Sequence, residues 1–358
     1  MAGRAAGRAA EWLDGGAFFE WTPPDEDRAP LRIFHTERGD ADAPTMVLVH
    51  GFPTSSIDWF DVAGLLAGEY RVCMLDFPGF GFSDKPRDGG YSLLRDCRLL
   101  EYYLSEIIGT DSGTVVAHDR GDSVALKLAQ RSGSGETAFG LRHLVLSNGN
   151  MFLPLSNLTQ FQRLILDPAS APTVLEALAP EMLAAGMGQS TYTPARSPQD
   201  PEVVALAETF AHNDGIAVLH ETIQYLVERS QNERGWLDAL ASSELPTTLV
   251  WGLYDTVSPL RVAAYVWNTF LVEKPGANEF WLLPRANHYL QGDQPNEFVE
   301  VLTRSLAGSS PEPGAISDAP GAPLFVDRSR TGLPSAAEVL AQPASIETLE
   351  QDAARLEN

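Results

Sequence analysis

Short, mostly apolar runs alternate along this 358-residue chain with longer stretches that have the spacing of amphipathic helices. Six such runs are residues 46–49, 71–75, 114–117, 144–146, 248–251 and 280–283. Runs this short that are apolar on both faces are typical of parallel strands covered by helices. The helical stretches are residues 57–68, 92–108, 121–131, 259–271 and 294–306. This alternation predicts a doubly wound α/β fold, with a mostly parallel sheet flanked by helices.

Two earlier segments and one long interval complete the predicted core and cap. Residues 17–21 and 31–35 alternate in polarity and are separated by Pro23-Pro24, so they predict an antiparallel pair that brings the sheet to eight strands. Residues 150–245 have no buried-strand pattern but are rich in Leu, Ala and Pro, with helical patches at 202–211 and 216–229. We therefore expect a helical cap inserted after the sixth strand.

The composition changes to Gly, Ser, Pro and Ala after about residue 307. Such a composition predicts a partly extended tail over 308–358, with one or two short helices within 336–357. The predicted domains are a core formed by 17–149 and 246–307, a cap formed by 150–245, and this tail.

Charge and composition exclude several classes of protein. Lys and Arg number 25 and Asp and Glu number 48, which gives a net charge of −23. So acidic a surface repels phosphate, and neither a nucleic-acid nor a membrane partner is expected. Cys73 and Cys97 lie in apolar contexts and are expected to be reduced core thiols of a cytoplasmic protein. No signal peptide, no stretch of ~18 apolar residues and no metal or cofactor motif is apparent.

The segment most informative about chemistry runs from residue 114 to residue 122. A buried strand enters a tight turn there and a helix follows at once, which is the setting of a nucleophile elbow. Ala117 and Gly121 are small where strand and helix approach closely, and Asp119 occupies the apex. A carboxylate is deprotonated at pH 7 and can attack a carbon electrophile to form an ester. The alternative is that Asp119 only caps the following helix.

A second motif, His50-Gly51-Phe52-Pro53, follows the strand at residues 46–49. A glycine turn at the carboxyl end of a strand leaves backbone N–H groups free. The N–H groups of Phe52 and Arg120 are therefore candidates for an oxyanion hole, which an ester on Asp119 would need during its hydrolysis. The alternative is that the motif only forms a turn.

Asp255 and His288 follow the next two strands of the predicted sheet. Asp255 is placed to orient an imidazole, and His288 lies 33 residues later, after one helix and one strand. The chain order is then nucleophile, acid and histidine, each at the carboxyl end of a parallel strand, where open α/β sheets place their sites. The alternatives are a helix cap for Asp255 and a structural role for His288.

Taken together, these motifs over residues 30–305 resemble the α/β-hydrolase superfamily, in the branch with an aspartate nucleophile and a helical cap. Epoxide hydrolases and haloalkane dehalogenases belong to that branch. Residues 146–149 (Leu-Ser-Asn-Gly) and 213–215 (Asn-Asp-Gly), with the stretch His118 to Asp122, resemble the mesoderm-specific transcript group more closely. The resemblance implies an α/β-hydrolase fold and a cofactor-independent hydrolase acting through a covalent ester on Asp119.

Departures from the family patterns bear on the reaction. Haloalkane dehalogenases typically have Trp after the nucleophile and use Asn or a further Trp to bind halide, whereas Arg120 and Phe52 stand here. Fluoroacetate dehalogenases use two arginines, but Ser123 occupies the second place. The motif His-Gly-Phe-Pro matches epoxide hydrolases, whose two cap tyrosines have Tyr192 and Tyr225 as candidates here. Epoxide hydrolysis is therefore expected first; the alternatives are haloalkane or haloacid dehalogenation, ester or lactone hydrolysis, and a non-catalytic binding protein.

The cap sequence also suggests the kind of substrate. Its candidate lining residues are largely apolar, which predicts a small apolar organic substrate. They are Phe152, Leu153, Phe161, Leu164, Tyr192 and Leu226. The Arg120 side chain has two alternative roles, an ion pair with an acidic neighbour such as Asp122 or the binding of a substrate anion.

Overall fold

The computed structural model describes residues 7–24, 28–309, 311 and 321–326. Nine strands form one sheet in the order β1-β2-β4-β3-β5-β6-β7-β8-β9. They are β1 Gly16–Trp21, β2 Leu31–Arg38, β3 Thr45–Val49, β4 Arg71–Leu75, β5 Ser112–His118, β6 Gly140–Ser147, β7 Thr247–Gly252, β8 Asn278–Leu283 and β9 Leu324–Phe325. The pairs β1–β2, β2–β4 and β8–β9 are antiparallel, and the others are parallel. The predicted α/β-hydrolase fold is confirmed.

Helices cover both faces of this sheet, which is why the central strands are buried on both sides. Those outside the interval between β6 and β7 are α1 Arg8–Asp14, α2 Phe60–Leu66, α3 Leu93–Tyr102, α4 Arg120–Gly133, α11 Leu260–Val266, α12 Leu290–Asp293 and α13 Pro295–Leu306. Helix α1 was not expected from the sequence. It is anchored by Trp12, which is buried and donates a hydrogen bond of 3.0 Å from Nε1 to Oγ of Ser56.

Between β6 and β7 the chain forms helices and no strand, over an interval that is described throughout. The helices are α5 Gln160–Leu166, α6 Ala171–Glu176, α7 Pro180–Ser190, α8 Pro201–Ala211, α9 Leu219–Thr222 and α10 Tyr225–Ala241. Helix α10 packs along α4, the helix that begins directly after Asp119. The interval that we call the cap therefore reaches the candidate elbow through α10.

The sheet has nine strands, so the expectation of eight was wrong by one short strand at the edge. Strand β9 pairs with β8 through Trp281 with Phe325 and Leu282 with Leu324. A strand of two residues is too short to give a periodic pattern in the sequence. Its position is fixed by tertiary packing, in which the Phe325 ring contacts Trp281 at 4.9 Å between centroids. The short helices predicted within 336–357 lie outside the described residues.

Both cysteines are buried and unpaired with each other. No helix of the described ranges is long and apolar enough to cross a membrane.

Candidate active site

Asp119 lies between the last residue of β5 and the first of α4, with φ of 51° and ψ of −113°. A positive φ is costly for a residue with a side chain and persists only where the surroundings impose it. Two glycines make room for this turn. A Cβ on Gly121 would lie 2.6 Å from the carbonyl oxygen of Val49, and a Cβ on Gly51 would lie 2.7 Å from the Cβ of Asp119. The strand, the turn and the helix can approach this closely only because both positions lack a side chain.

The Asp119 carboxylate is buried, and its two oxygens differ. Oδ2 accepts a hydrogen bond of 2.9 Å from the backbone N–H of Phe52. Oδ1 is shielded from solvent and has no hydrogen-bond partner among the described residues. The N–H of Arg120 is the first of α4 and therefore has no acceptor within its own helix. Asp119 thus has one oxygen held by an N–H group and another free to form a bond.

His288 and Asp255 form a buried pair. Nδ1 of His288 lies 3.1 Å from Oδ2 and 3.2 Å from Oδ1 of Asp255. Asp255 is itself held by the N–H groups of Val257 and Ser258, both 2.8 Å from Oδ1. Burial alone would lower the pKa of His288, but the charge and hydrogen bond of Asp255 and the charge of Asp119 outweigh it, and the pKa is raised. With Nδ1 donating to Asp255, Nε2 is the unprotonated nitrogen of the neutral ring.

Asn148 links the loops that hold these two residues, a role that the sequence analysis missed. Its Nδ2 donates to the carbonyl oxygens of Asn287 at 2.7 Å and His288 at 2.9 Å. Its Oδ1 accepts from the N–H of Gly252 at 2.9 Å. The loops after β6, β7 and β8 are therefore joined by one buried amide. The sequence feature that could have indicated this role is an Asn directly after the sixth strand, within the Leu-Ser-Asn-Gly motif of residues 146–149.

The Arg120 side chain forms a buried ion pair. Its guanidinium bonds to Asp96 of α3, and both side chains are almost completely inaccessible. Its partner is thus not Asp122, whose Oδ1 accepts from the N–H of Ser147 at 3.3 Å. The guanidinium also lies over the rings of Phe80 and Tyr225, at 5.1 and 5.5 Å from their centroids. The side chain is therefore held by structural contacts, with Nε and Nη1 lacking a hydrogen-bond partner among the described residues, and its backbone N–H remains the candidate for the oxyanion site.

A second buried arginine, Arg229 of α10, was also missed. It donates from Nε to Oγ of Ser123 at 2.6 Å, from Nη1 to the carbonyl oxygen of Asn150 at 3.0 Å, and from Nη2 to that of Asp119 at 3.3 Å. The sequence placed it in a helical patch, but no local pattern indicated that it would reach a residue 110 positions away.

The three predicted substrate-binding residues of the cap occupy different places. Tyr225 is buried with its ring 5.7 Å from that of Phe52, and its hydroxyl has no partner among the described residues. Burial raises the pKa of Tyr225, and the charge of Asp119 raises it further. Tyr192 instead stacks on Tyr289 at 5.0 Å. Phe152 lies against the ring of Tyr265 at 4.3 Å. The structure brings Tyr225 toward Asp119 but not Tyr192 or Phe152.

A cavity of about 310 Å³ opens beside His288 and Phe52. The cap contributes apolar side chains to its wall, and none of the described lining residues is Asp, Glu, Lys or Arg. The apolar cap residues are Phe161, Leu178, Met182, Leu183 and Met187. Phe161 was an expected lining residue, whereas Leu164 points outward and Leu226 is buried elsewhere in the core. Neither Asp119 nor Tyr225 is among the residues that line this cavity.

No group of three or more His, Cys, Asp or Glu side chains within the described ranges is arranged to hold a metal ion.

Comparison with known proteins agrees with this architecture. A family model described as alpha/beta hydrolase fold matches residues 44–295. The putative hydrolase LipZ of Mycobacterium tuberculosis is 35% identical over 296 residues, covering 83% of this chain and 97% of its own. The mesoderm-specific transcript homolog protein of Bos taurus is 31% identical over 296 residues, covering 81% and 85%. The solved haloalkane dehalogenase DbeA from Bradyrhizobium elkani USDA94 has a TM-score of 0.65 at 21% identity, covering 82% and 98%, a likeness of fold alone.

Proposed function

The chain belongs to the alpha/beta hydrolase fold family, and from that premise we propose that it hydrolyses epoxides to diols through a covalent ester on Asp119. One observation carries this proposal. Oδ1 of Asp119 and the hydroxyl of Tyr225 are both buried and unpartnered among the described residues, and the charge of Asp119 acts on Tyr225. A free carboxylate oxygen and a protonated phenol are the two groups that epoxide opening requires.

In the first step, Oδ1 of Asp119 attacks a carbon of the epoxide ring. A carbon–oxygen bond forms, the ring carbon–oxygen bond breaks, and the released oxygen takes the proton of the Tyr225 hydroxyl. A phenol has an ordinary pKa of about 10, so the Tyr225 hydroxyl is protonated at neutral pH and has a proton to donate as the acid. The product of this step is an ester between the enzyme and a hydroxyalkyl group.

In the second step, Nε2 of His288 takes a proton from water, and the resulting hydroxide attacks the ester carbonyl. The N–H groups of Phe52 and Arg120 would hold the tetrahedral oxyanion. Collapse breaks the bond to the alkyl oxygen, releases the diol and restores the Asp119 carboxylate. The departing alkyl oxygen takes the proton held by His288, and the proton brought by the hydroxide passes to the Tyr225 phenolate, so that the balance is one epoxide and one water to one diol.

The cavity supports a neutral, apolar substrate of modest size. Its volume of about 310 Å³ and its lining of Phe, Leu and Met side chains favour an organic molecule without charge. Binding of a substrate carboxylate by Arg120 is disfavoured, because its guanidinium is paired with Asp96 and Arg120 does not line the cavity. A haloacid is therefore a poorer candidate than an epoxide or a haloalkane.

The test compares epoxides with haloalkanes of the same carbon skeleton. Diol release and halide release are measured for the wild type, for Tyr225→Phe and for the control Tyr192→Phe, whose ring stacks on Tyr289. Epoxide opening should fall in Tyr225→Phe by about 10²-fold or more, the usual contribution of a general acid. Tyr192→Phe should retain most of the wild-type rate. Release of halide without release of any diol would assign the protein to dehalogenation instead.

A further inference from the structure

Arg229 is a fully buried side chain that connects the cap to the elbow. It lies in α10, and its guanidinium reaches three separate parts of the chain. Ser123 is in the first turn of α4, Asn150 lies three residues after the end of β6 and begins the cap, and Asp119 is the candidate nucleophile. One side chain therefore holds the helix after the elbow, the start of the cap and the elbow itself.

The acceptors of Arg229 are unusual for a buried guanidinium because all three are neutral oxygens. No carboxylate of the described residues lies within 4.0 Å of it, whereas Arg120 close by is paired with Asp96. Its charge acts at longer range on the buried carboxyl groups of Asp122 and Glu233. Burial of a guanidinium without a direct ion pair costs free energy, so stability alone gives little reason for an arginine here.

The hydrogen bond to Asp119 involves the carbonyl oxygen of the residue that has φ of 51°. The orientation of that peptide sets the direction of the Asp119 side chain, and small misplacements of a reacting group are costly in rate. Arg229 also lies over the ring of Tyr225, one helical turn earlier, at 4.9 Å from the centroid. The same guanidinium therefore contacts both the nucleophile's backbone and the ring of the proposed acid.

We propose that Arg229 is a positioning residue through which the cap orients Asp119 and Tyr225 for formation of the ester. The inference rests on the proposed role of Asp119 as nucleophile. It assigns Arg229 no contact with the substrate. Its removal should lower the rate of the first step with little effect on the substrate concentration that gives half of the maximal rate.

The experiment uses the full chain with His288→Gln, in which the ester should accumulate and can be followed by intact-protein mass spectrometry. Into this background we would introduce Arg229→Gln, Arg229→Lys and the control Arg234→Gln. Arg234 lies on the same helix but is exposed and pairs with Asp238. Arg229→Gln should slow adduct formation at saturating substrate by about tenfold or more. Arg229→Lys should be intermediate, because a lysine retains the charge but not the planar fork.

Several outcomes separate this inference from the proposed function. If the ester forms in Arg229→Gln and Arg229→Lys at the rate of the parent, Arg229 is not a positioning residue. If no adduct forms with any epoxide or haloalkane even in the parent, the proposed nucleophile is wrong, and the role of Arg229 is overturned with it. Should Arg229→Gln fail to fold, as judged by thermal unfolding, Arg229→Lys and Ser123→Ala decide, and an unchanged rate in both would overturn the inference.

Discussion

The backbone N–H of Phe52 donates a hydrogen bond of 2.9 Å to Oδ2 of Asp119, so the candidate oxyanion site is joined to the candidate nucleophile before any substrate is bound. This bond selects one oxygen of the carboxylate and leaves Oδ1 without a partner among the described residues. When an ester forms through Oδ1, Oδ2 becomes the carbonyl oxygen and is already in place to become the oxyanion. The hydrogen bond from Phe52 thus favours attack on the substrate carbon by Oδ1 of Asp119 rather than by Oδ2.

Asp119→Asn should lower the turnover rate by at least about 10³-fold, because an amide is a poor nucleophile. The side chain keeps its shape and its acceptor for the Phe52 N–H, so the thermal unfolding temperature should change little. Steady-state kinetics and mass spectrometry check both points, and the mass spectrum also excludes slow deamidation back to aspartate. Wild-type turnover in a variant shown to be still an amide would refute the assignment of Asp119.

His288→Gln should allow the ester to form and block its hydrolysis, since only the second step needs a base. Incubation with substrate should raise the protein mass by one substrate unit. The double variant with Asp119→Asn is the matched control and should show no adduct. Sustained turnover of His288→Gln would mean that another group activates the water.

The rate of ester hydrolysis should rise with pH as His288 loses its proton, because Nε2 must be unprotonated to take a proton from water. In the free enzyme, burial lowers the pKa of His288, but the opposing effects, of which the charge of Asp255 is the largest, together outweigh it and raise the pKa. Asp255→Asn removes that charge, so the midpoint should move to lower pH. The plateau rate should fall by about 10³- to 10⁴-fold, because the ring is no longer held in the useful tautomer. Single-turnover decay of the ester between pH 5 and 9 measures both quantities, and a midpoint that does not move would exclude Asp255 as the partner.

Arg120→Leu should be strongly destabilising, because it leaves Asp96 buried without its partner. Breaking a buried pair by removing one member typically costs about 3–5 kcal/mol, well above the contribution of a surface pair. Loss of Arg120 and Asp96 together should cost less than the sum of the single changes, which a double-mutant cycle by denaturant unfolding measures. Activity on neutral epoxides per folded molecule should stay within about tenfold, because the backbone N–H remains. Strict additivity of the two changes would show that the pair is not coupled.

Asp58→Asn should stabilise the protein at alkaline pH relative to acid pH. Burial raises the pKa of Asp58 from 3.8 to about 8, with the charge of Asp76 contributing. Between these values the folded state holds a proton that the unfolded state releases, so wild-type stability falls as pH rises through this range. An asparagine side chain does not titrate in this range, so the variant does not lose folding stability in this way as pH rises. The difference in unfolding temperature between the variant and the wild type should therefore grow from pH 5 to pH 8.5, and a constant difference would contradict the raised pKa.

The sequence by itself predicted the succession of strands and helices along the core, the interval without strands that we call the cap, and the candidates Asp119, Asp255, His288 and Phe52. These predictions depend on local patterns, because a buried strand followed by a turn and a helix can be recognised within about ten residues of sequence. The carboxyl ends of parallel strands meet at one edge of the sheet, so chain order alone predicts that such residues converge.

Only the tertiary structure decided which side chains meet across helices. In the structure Arg120 pairs with Asp96 and not with Asp122. Tyr225 lies near Asp119, whereas Tyr192 stacks on Tyr289. Arg229 donates a hydrogen bond to the backbone of the elbow at Asp119. The physical reason is that these contacts depend on how α10 packs along α4 and how α3 lies beside both. Packing between helices is set by the whole arrangement of side chains in the core, and no local period in the sequence records it.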